Sequence, residues 1–143
     1  MAGSFTTYLG VNTLDHVFGL QAMPTGDWAN LYIALSTGTP NETGGNFLEP
    51  VASSGYIRKE IANDKTTWTN ATTGDPSSIH NDIAIEFAIA SGGWDTVTHF
   101  GIYDSGTIGA GHLLVWSDLD TPKPITINDT ASFAANELVI TLD

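Results

Sequence analysis

Residues 96–118 contain two runs rich in β-branched and aromatic residues, joined by a glycine-rich connector. Residues of these types favour the pleated, half-buried surface of a β-strand. Gly106, Gly109 and Gly111 allow the chain to reverse between the two runs. The segment therefore predicts a β-hairpin, and its turn carries no recognisable catalytic motif. Similar apolar runs separated by turn residues recur along the chain, which favours a β-sandwich.

The remaining strands are predicted from short apolar or alternating runs bounded by turn residues. They are 31–36, 55–61, 66–69, 83–88, 125–127, 131–134 and 137–142. Residues 112–116 (HLLVW) are continuously apolar, as in a strand covered on both faces. Residues 70–82 are expected to form a polar loop, and Pro122 and Pro124 are expected to end the strand before them. About eight or nine short strands, with a turn signal roughly every 8–12 residues, predict an all-β, single-domain antiparallel β-sandwich of jelly-roll type.

Residues 4–20 are the one segment with helical character. Apolar residues recur there at partial three- and four-residue spacing, at Phe5, Tyr8, Leu9, Leu14, Val17 and Phe18. Asn12 or Thr13 is expected to cap a short helix that begins at Leu14. Two interpretations remain open: a helix that lies on the sandwich, and an arm that docks on a neighbouring subunit. We therefore divide the chain into an N-terminal arm or short helix, 1–27, and a β-sandwich, 28–143, within one domain overall.

The composition suits a small protein that contacts other proteins. The chain has 143 residues, enough for one domain with its own core. Charged residues make up only 14%, so the surface must be built largely from neutral polar residues. Such a surface favours protein contacts because few charges need to be desolvated. No cysteine is present, which excludes disulfides, thiolate zinc sites and cysteine nucleophiles.

The charge balance argues against several classes of partner. Sixteen acidic residues face four basic ones, giving a net charge of −12. The cations are spread along the chain, so we expect neither nucleic-acid binding nor attraction to anionic membranes. The N-terminal residues lack the charged and apolar regions of a signal peptide, and no apolar run reaches the ~18 residues of a membrane span. We therefore expect a protein partner, with no nucleic acid and no membrane.

Histidines give one metal hypothesis. His99 and His112 lie on the two arms of the predicted hairpin, and with Asp104 they would form a metal site if they faced each other. The favoured interpretation is that both are hydrogen-bonded strand histidines, because the chain has no HExxH motif and no helical histidine pair. Asp118 and Asp120 are interpreted as turn residues, since an isolated DxD is a weak calcium signal. No metal is therefore expected.

Recognisable catalytic motifs are lacking in the sequence. It has no nucleophile elbow and no Walker loop. Glu60 and Glu86, on predicted strands, are the carboxylates considered for glycoside hydrolysis, which in retaining enzymes requires a separation of about 5–5.5 Å. The sequence does not fix that distance, and sixteen scattered acidic residues make a close pair common by chance. We expect no enzymatic activity and no cofactor.

The four tryptophans are candidates either for core packing or for partner binding. Trp28 and Trp116 are interpreted as core residues. Trp68 and Trp94 lie near turn-rich loops, where exposed aromatic rings bind carbohydrate or protein. Both interpretations remain open for Trp68 and Trp94.

Five segments, in order, carry a resemblance to a known family. They are LDHVFG at 14–19, LYIALSTGTP at 31–40, GYIRKEI at 55–61, THFGIYDSGTIGAGHLLVW at 98–116 and LDTPKPITINDTASFAANELVITL at 119–142. Together they resemble small tailed-bacteriophage virion proteins described as tail-fibre-like or as capsid cement (decoration) proteins. The resemblance covers nearly the whole chain and implies a small β-sandwich with a short N-terminal helical segment. It brings no catalytic residues with it.

The resemblance implies a structural role in the virion, and of the two roles we favour capsid cement. A single domain lacks the fibrous shaft, coiled coil or collagen-like repeat expected of a tail fibre. The resemblance implies a homotrimer bound to the major capsid protein on the outer capsid surface, after synthesis in the host bacterial cytoplasm. The alternative is a tail-fibre or tail-tip module that recognises a host-surface glycan or protein. The expected partner-binding residues are Phe5, Tyr8, Leu9, Trp68 and Trp94.

Overall fold

A computed structural model describes residues 4–23 and 28–142. These residues form one α-helix, α1 (Thr7–Val17), a short 3-10 turn (Ala52–Ser54) and nine strands. The strands, in chain order, are β1 Ser4–Phe5, β2 Asn30–Ser36, β3 Lys59–Ala62, β4 Ser77–His80, β5 Ile85–Glu86, β6 Asp95–Tyr103, β7 Leu113–Ile125, β8 Ser132–Phe133 and β9 Val139–Leu142. No helix in the described part of the chain is long and apolar enough to cross a membrane.

A five-stranded sheet in the order β1-β7-β6-β2-β3 forms the centre of the fold. Two two-stranded ribbons, β4-β9 and β5-β8, accompany it. Every strand pair in these sheets is antiparallel. The prediction of an all-β, single-domain antiparallel fold with one short N-terminal helix is therefore confirmed.

The main core lies between one face of the central sheet and the β5-β8 ribbon. Ile33 on β2 and Phe100 on β6 are fully buried, and the Phe100 ring packs on that of Phe133 from β8 at 5.8 Å between centroids. A second, smaller cluster of Ala34, Tyr103 and Leu113 covers the opposite face of the same sheet. Because both faces are covered, the central strands are apolar on successive residues rather than on alternate ones.

The predicted hairpin is confirmed as β6 and β7, which pair along most of their length. Leu113, Leu114 and Val115 are all buried, as the continuous apolar run predicted. The pairing is irregular between Val97 and His99 and again between Ile102 and Tyr103. Such irregularities shift the alternation of side chains between the two faces.

The prediction that Pro122 and Pro124 end the preceding strand is wrong, because β7 continues to Ile125. The carbonyl of Ile125 accepts a hydrogen bond from the Trp94 amide, so the backbone groups of residue 125 point toward the β6 side. The backbone N–H and C=O groups of successive strand residues point alternately to the two sides of the strand, so those of Pro122 and Pro124 point away from β6. On that side, β7 is paired with β1 only at Val115 and Trp116. Proline is tolerated at such an open edge, since no partner needs its missing N–H.

Other boundaries also differ from the sequence prediction. The expected loop at 70–82 contains strand β4, which pairs with β9 through contacts distant in sequence. The strand expected at 66–69 is reduced to a single bridge between Trp68 and Asn81. Asp118 and Asp120 lie within β7 rather than in a turn. In each case pairing with a distant segment, rather than local composition, decides the structure.

Candidate docking surface

Helix α1 begins at a threonine that is fixed to the central sheet. The amide of Leu9 donates to Thr6 Oγ1 (3.4 Å), which caps the first turn. The Thr6 hydroxyl in turn donates to the carbonyl oxygen of Leu113 at the start of β7 (2.6 Å). Because this hydroxyl is buried, both bonds are needed to satisfy it. The start of α1 is therefore set by β7.

The expected helix start is wrong, although the helix lies within the predicted segment 4–20. Asn12 and Thr13 are inside α1 and do not cap it. The Asn12 side chain is buried, and its Nδ2 donates to the carbonyl oxygen of Tyr8 (2.8 Å). The helix closes with two bonds of a Schellman motif, from Gly19 N to His16 O and from Leu20 N to Asp15 O.

The inner side of α1 makes few core contacts. Leu9 is the only apolar residue within the helix that is buried. Tyr8 is half-buried, and its ring stacks on that of His112, with centroids 3.9 Å apart and planes 1° apart. Partial burial, and secondly the charge of Asp104, raise the pKa of Tyr8. In the described part of the chain, the contacts that hold this helix include Leu9, the Tyr8–His112 stack, the bonds of Thr6 and a bond from the Thr7 amide to the Glu42 carbonyl oxygen (2.8 Å).

The Asp104 carboxylate holds His112 in position for this stack. One oxygen accepts from the His112 amide (2.6 Å), and the other lies 3.0 Å from Nδ1 of the imidazole. Arg58 also holds the connector between β6 and β7, residues 104–112. Its guanidinium donates to the carbonyl oxygens of Ser105 (2.6 Å) and Ala110 (2.9 Å). The connector is therefore held in place at both positions, and it supports α1 through His112.

Arg58 is itself part of a buried polar network. Its guanidinium forms an ion pair with Glu49 (2.8 Å), and it lies 3.6 Å above the centre of the Tyr103 ring. The Tyr56 hydroxyl donates to the same Glu49 carboxylate and accepts from the Leu35 amide. Burial raises the pKa of Tyr103 to about 12, although the charge of Arg58 opposes this shift. The network ties the connector to the centre of the fold.

The outward side of α1 is apolar and exposed. We call Val11, Leu14, Val17, Phe18 and Leu20 the outer face of α1. Their exposed fractions rise along the helix from 51% at Val11 to 76% at Leu20. At 100° per residue, the first four fall on one side of the helix, opposite Leu9 and Asn12. A contiguous exposed apolar surface of this kind marks an interaction site.

Within α1, no charged side chain stands between the apolar residues of the outer face. At the same angular spacing, Thr7 and Gly10 fall among the apolar residues of the outer face. Asp15 is four residues from Val11 and three from Phe18, so it borders the outer face, whereas His16 falls toward the inner side. The outer face therefore offers an apolar surface with the Asp15 carboxylate at its margin.

The structure places the five predicted partner-binding residues in the core or packed against it. Phe5 and Tyr8 pack against the core, and Leu9 is buried in it. Trp68 and Trp94 are also buried, and the Trp94 indole donates to the carbonyl oxygen of Ser54. Of the two interpretations for these tryptophans, the structure shows core packing. Partner binding by the five residues stays a prediction.

The sequence prediction did not identify the outer face of α1 as one surface. Leu14, Val17 and Phe18 belonged to the predicted apolar periodicity, but Val11 and Leu20 did not. The signal was present, because Val11, Leu14 and Phe18 have the i, i+3, i+7 spacing of one helix side. Assigning that side as outer required the position of Thr6, which depends on a contact with β7.

The histidines of the hairpin do not face each other. His112 contacts Asp104 and Tyr8, whereas His99 pairs in register with Asp118 and lies beside Trp116. Burial lowers the pKa of His99, and the Asp118 charge opposes this in part. Within residues 4–23 and 28–142, no group of three or more His, Asp or Glu side chains is placed to hold a metal ion.

The carboxylates considered for hydrolysis border one groove. Glu60 and Glu86 line a cavity of about 950 Å³, together with Tyr32, Lys59 and the start of the connector. Both glutamates are exposed. A carboxyl group that acts as a general acid needs apolar surroundings, and here neither side chain has them. The groove supplies no observation that assigns a reaction.

Comparison with known families places the whole described fold in one of them. A family model described as "Podophage GP4 fiber I protein gp80" matches residues 4–141. The matched region includes α1, strands β1 to β8 and all of β9 except its last residue, Leu142. No match was found among curated proteins.

Proposed function

This chain belongs to the podophage GP4 fiber I protein gp80 family, and from that premise we propose that it joins virion proteins through the outer face of α1. Membership makes it a fibre-like structural protein of a tailed-phage virion. The chain was expected to resemble such proteins, and the family match confirms it. The observation that carries the proposal is the exposed, apolar outer face of α1.

Covering the outer face of α1 removes apolar side chains from water. A fully buried leucine, valine or phenylalanine side chain contributes about 1.5–3 kcal/mol relative to an exposed one. The five residues of the outer face are all more than half exposed in the isolated chain, so a partner that covers them gains most of this term. Charged residues make up only 14% of the chain, which favours protein contacts in general because few charges need to be desolvated.

Two locations on the virion are compatible with membership of this family. The family description supports a place in a fibre, with a neighbouring fibre or tail protein as partner. Capsid cement is the second candidate, with the major capsid protein as partner on the outer capsid surface. It is supported by the described residues, which form one β-domain with a single short helix and no shaft. In both cases we propose a homotrimer.

We further propose that the chain has no catalytic activity, no cofactor and no nucleic-acid or membrane partner. The net charge of −12 supports the absence of nucleic-acid and membrane partners, because phosphates and anionic lipids would be repelled. The exposure of Glu60 and Glu86 supports the absence of catalytic activity. Recognition of a host-surface glycan or protein remains the alternative function of a fibre location.

Electron cryo-microscopy of purified virions, with the protein labelled by an antibody or a small tag, tests this proposal. Density at the tail supports the fibre role, and density on the head surface supports cement. In either place, we expect the outer face of α1 to lie against another protein. Absence of the protein from purified particles, or an outer face of α1 that points into solvent there, would contradict the proposal.

A further inference from the structure

We propose that the outer face of α1 is covered by the α1 helix of a second copy of this chain. The inference rests on the proposed adhesive function and names the occupant of that same surface. It is carried by the spacing of the exposed apolar residues, by the distribution of charge and by an unexplained glycine.

The spacing fits a helix as the occupant. Val11, Leu14 and Phe18 are separated by three and four residues, which is the pattern of one seam of a helix–helix contact. Two or three copies of the same helix satisfy such a seam symmetrically, since each copy presents the same apolar residues to the others. No further element of the chain is required.

The charge distribution favours a second copy at this place. Each copy carries a net charge of −12, so most mutual approaches bring carboxylates together. The outer face of α1 is apolar and has the Asp15 carboxylate only at its margin, so two copies can touch there with little of that repulsion. A partner with a basic surface would instead gain by docking on one of the acidic faces.

Gly10 gives an independent observation. It lies in the middle of α1, on the outward side, where glycine weakens a helix relative to alanine. A Cβ atom added at Gly10 would meet nothing within 4 Å, so no contact with residues 4–23 or 28–142 requires glycine there. A neighbouring helix that approaches closely at this position would require it.

The available area suits a small interface. Exposed side chains of this size offer on the order of 100 Å² each, so the five residues offer on the order of 500 Å². A standard interface takes about 800 Å² from each partner. The outer face therefore supplies on the order of half of that area or more.

Sedimentation velocity on the purified full chain is the first test. We expect the wild-type chain to self-associate, and the Leu14→Gln/Phe18→Gln double variant to raise the dissociation constant by more than about tenfold. Ile89→Gln is the matched control, because Ile89 is comparably exposed (64%) and lies outside α1, in the segment between β5 and β6. It should associate as the wild type does. A monomeric wild-type chain would overturn the inference.

Cysteine cross-linking tests the α1–α1 contact itself. The chain has no cysteine, so Leu14→Cys places one thiol on the outer face. Under mild oxidation we expect a disulfide-linked dimer on a non-reducing gel, and none from Ile89→Cys. If the wild type associates but Leu14→Cys yields no more dimer than Ile89→Cys, the helices do not meet and the inference fails.

Gly10→Ala should change the stability of the helix and the self-association of the chain in opposite directions. In the isolated chain we expect a higher melting temperature at high dilution, because alanine is the better helix former. We expect weaker self-association, because the added methyl group keeps the neighbouring helix away. Stronger association of Gly10→Ala would contradict close packing at this position. A chain that stays monomeric but is found in virions at an occupied α1 would overturn this inference alone and leave the proposed function standing.

Discussion

The central sheet and helix α1 are both rich in apolar residues, but they use them differently. In β2, the residues from Ile33 to Ser36 are all buried, and the other strands of the chain cover them. In α1, Leu9 is buried while Val11, Leu14 and Val17 are exposed. The central sheet has both faces covered within one copy of the chain, whereas the helix leaves one side exposed. Apolar character alone therefore does not tell whether a segment serves the core or a partner.

The largest effect is expected in the core. Trp94→Ala should lower the free energy of unfolding by about 3–5 kcal/mol, because it leaves a large cavity beside Tyr56 and Phe87. Equilibrium denaturation in urea measures this. Ile89→Ala, at an exposed site, should change it by less than about 0.5 kcal/mol. Equal effects of the two variants would show that Trp94 is not a core residue.

Removal of one partner of the buried ion pair should cost about 3 kcal/mol. Arg58→Met leaves the Glu49 carboxylate buried without its cation, and the connector loses two hydrogen bonds. The same denaturation experiment measures the loss. Adding Glu49→Gln to Arg58→Met should recover part of it, since the unpaired charge is then gone. No recovery would mean that the lost bonds to the connector dominate.

A mutation in the inner side of α1 should separate the helix from the sheet. Leu9→Ala removes the one buried apolar side chain of the helix, so we expect α1 to open more easily by about 2 kcal/mol. Hydrogen exchange should show the loss of protection at residues 7–17, while β6 and β7 keep theirs. Equal loss in the sheet would contradict the view of α1 as a thinly attached element.

Acid should weaken the fold through His99. Its pKa is lowered by burial, so below about pH 6.5 the unfolded state binds more protons than the folded state. The stabilising effect of the neutral ring is present above that pH and is lost as the pH falls through the lowered value. The drop in melting temperature between about pH 7.5 and pH 5 should be smaller in His99→Gln. His16→Gln, at an exposed position, is the control and should keep the wild-type drop.

The smallest effect on stability is expected at the outer face of α1. Leu14→Gln/Phe18→Gln alters two exposed side chains, so the free energy of unfolding of the dilute chain should change by less than about 0.5 kcal/mol per substitution. Circular dichroism and urea denaturation measure this. A loss comparable to that of Leu9→Ala would show that these residues support the fold instead of a partner.

The parts of the fold that were predictable are those whose apolar runs end at turn residues. The hairpin of β6 and β7 and the strand at 31–36 belong to this class, because glycine, proline and asparagine bound them on both sides. The alternation at 83–88 also held at Ile85 and Phe87, which are buried, although Ile83 is exposed. Local sequence suffices there because core and turn signals agree.

The remaining features depend on contacts between distant segments. Strand β4 has the polar sequence SSIH, and only its pairing with β9 makes it a strand. Helix α1 starts at Thr6 because the hydroxyl of that residue reaches β7. An error in the helix start leaves its inner and outer sides undefined, so Leu9 and Leu14 were not separable by sequence. The sequence therefore predicted the segment that carries the candidate site, but not which side of its helix is exposed.

The most direct measurement is the number of copies of this protein in purified virions whose genome encodes a variant chain. Quantitative mass spectrometry should find the Leu14→Gln/Phe18→Gln chain strongly depleted from particles, although it folds, and Ile89→Gln present at the wild-type number. This result would support α1 as the surface that holds the protein in the virion. Full occupancy of the double variant would contradict that claim.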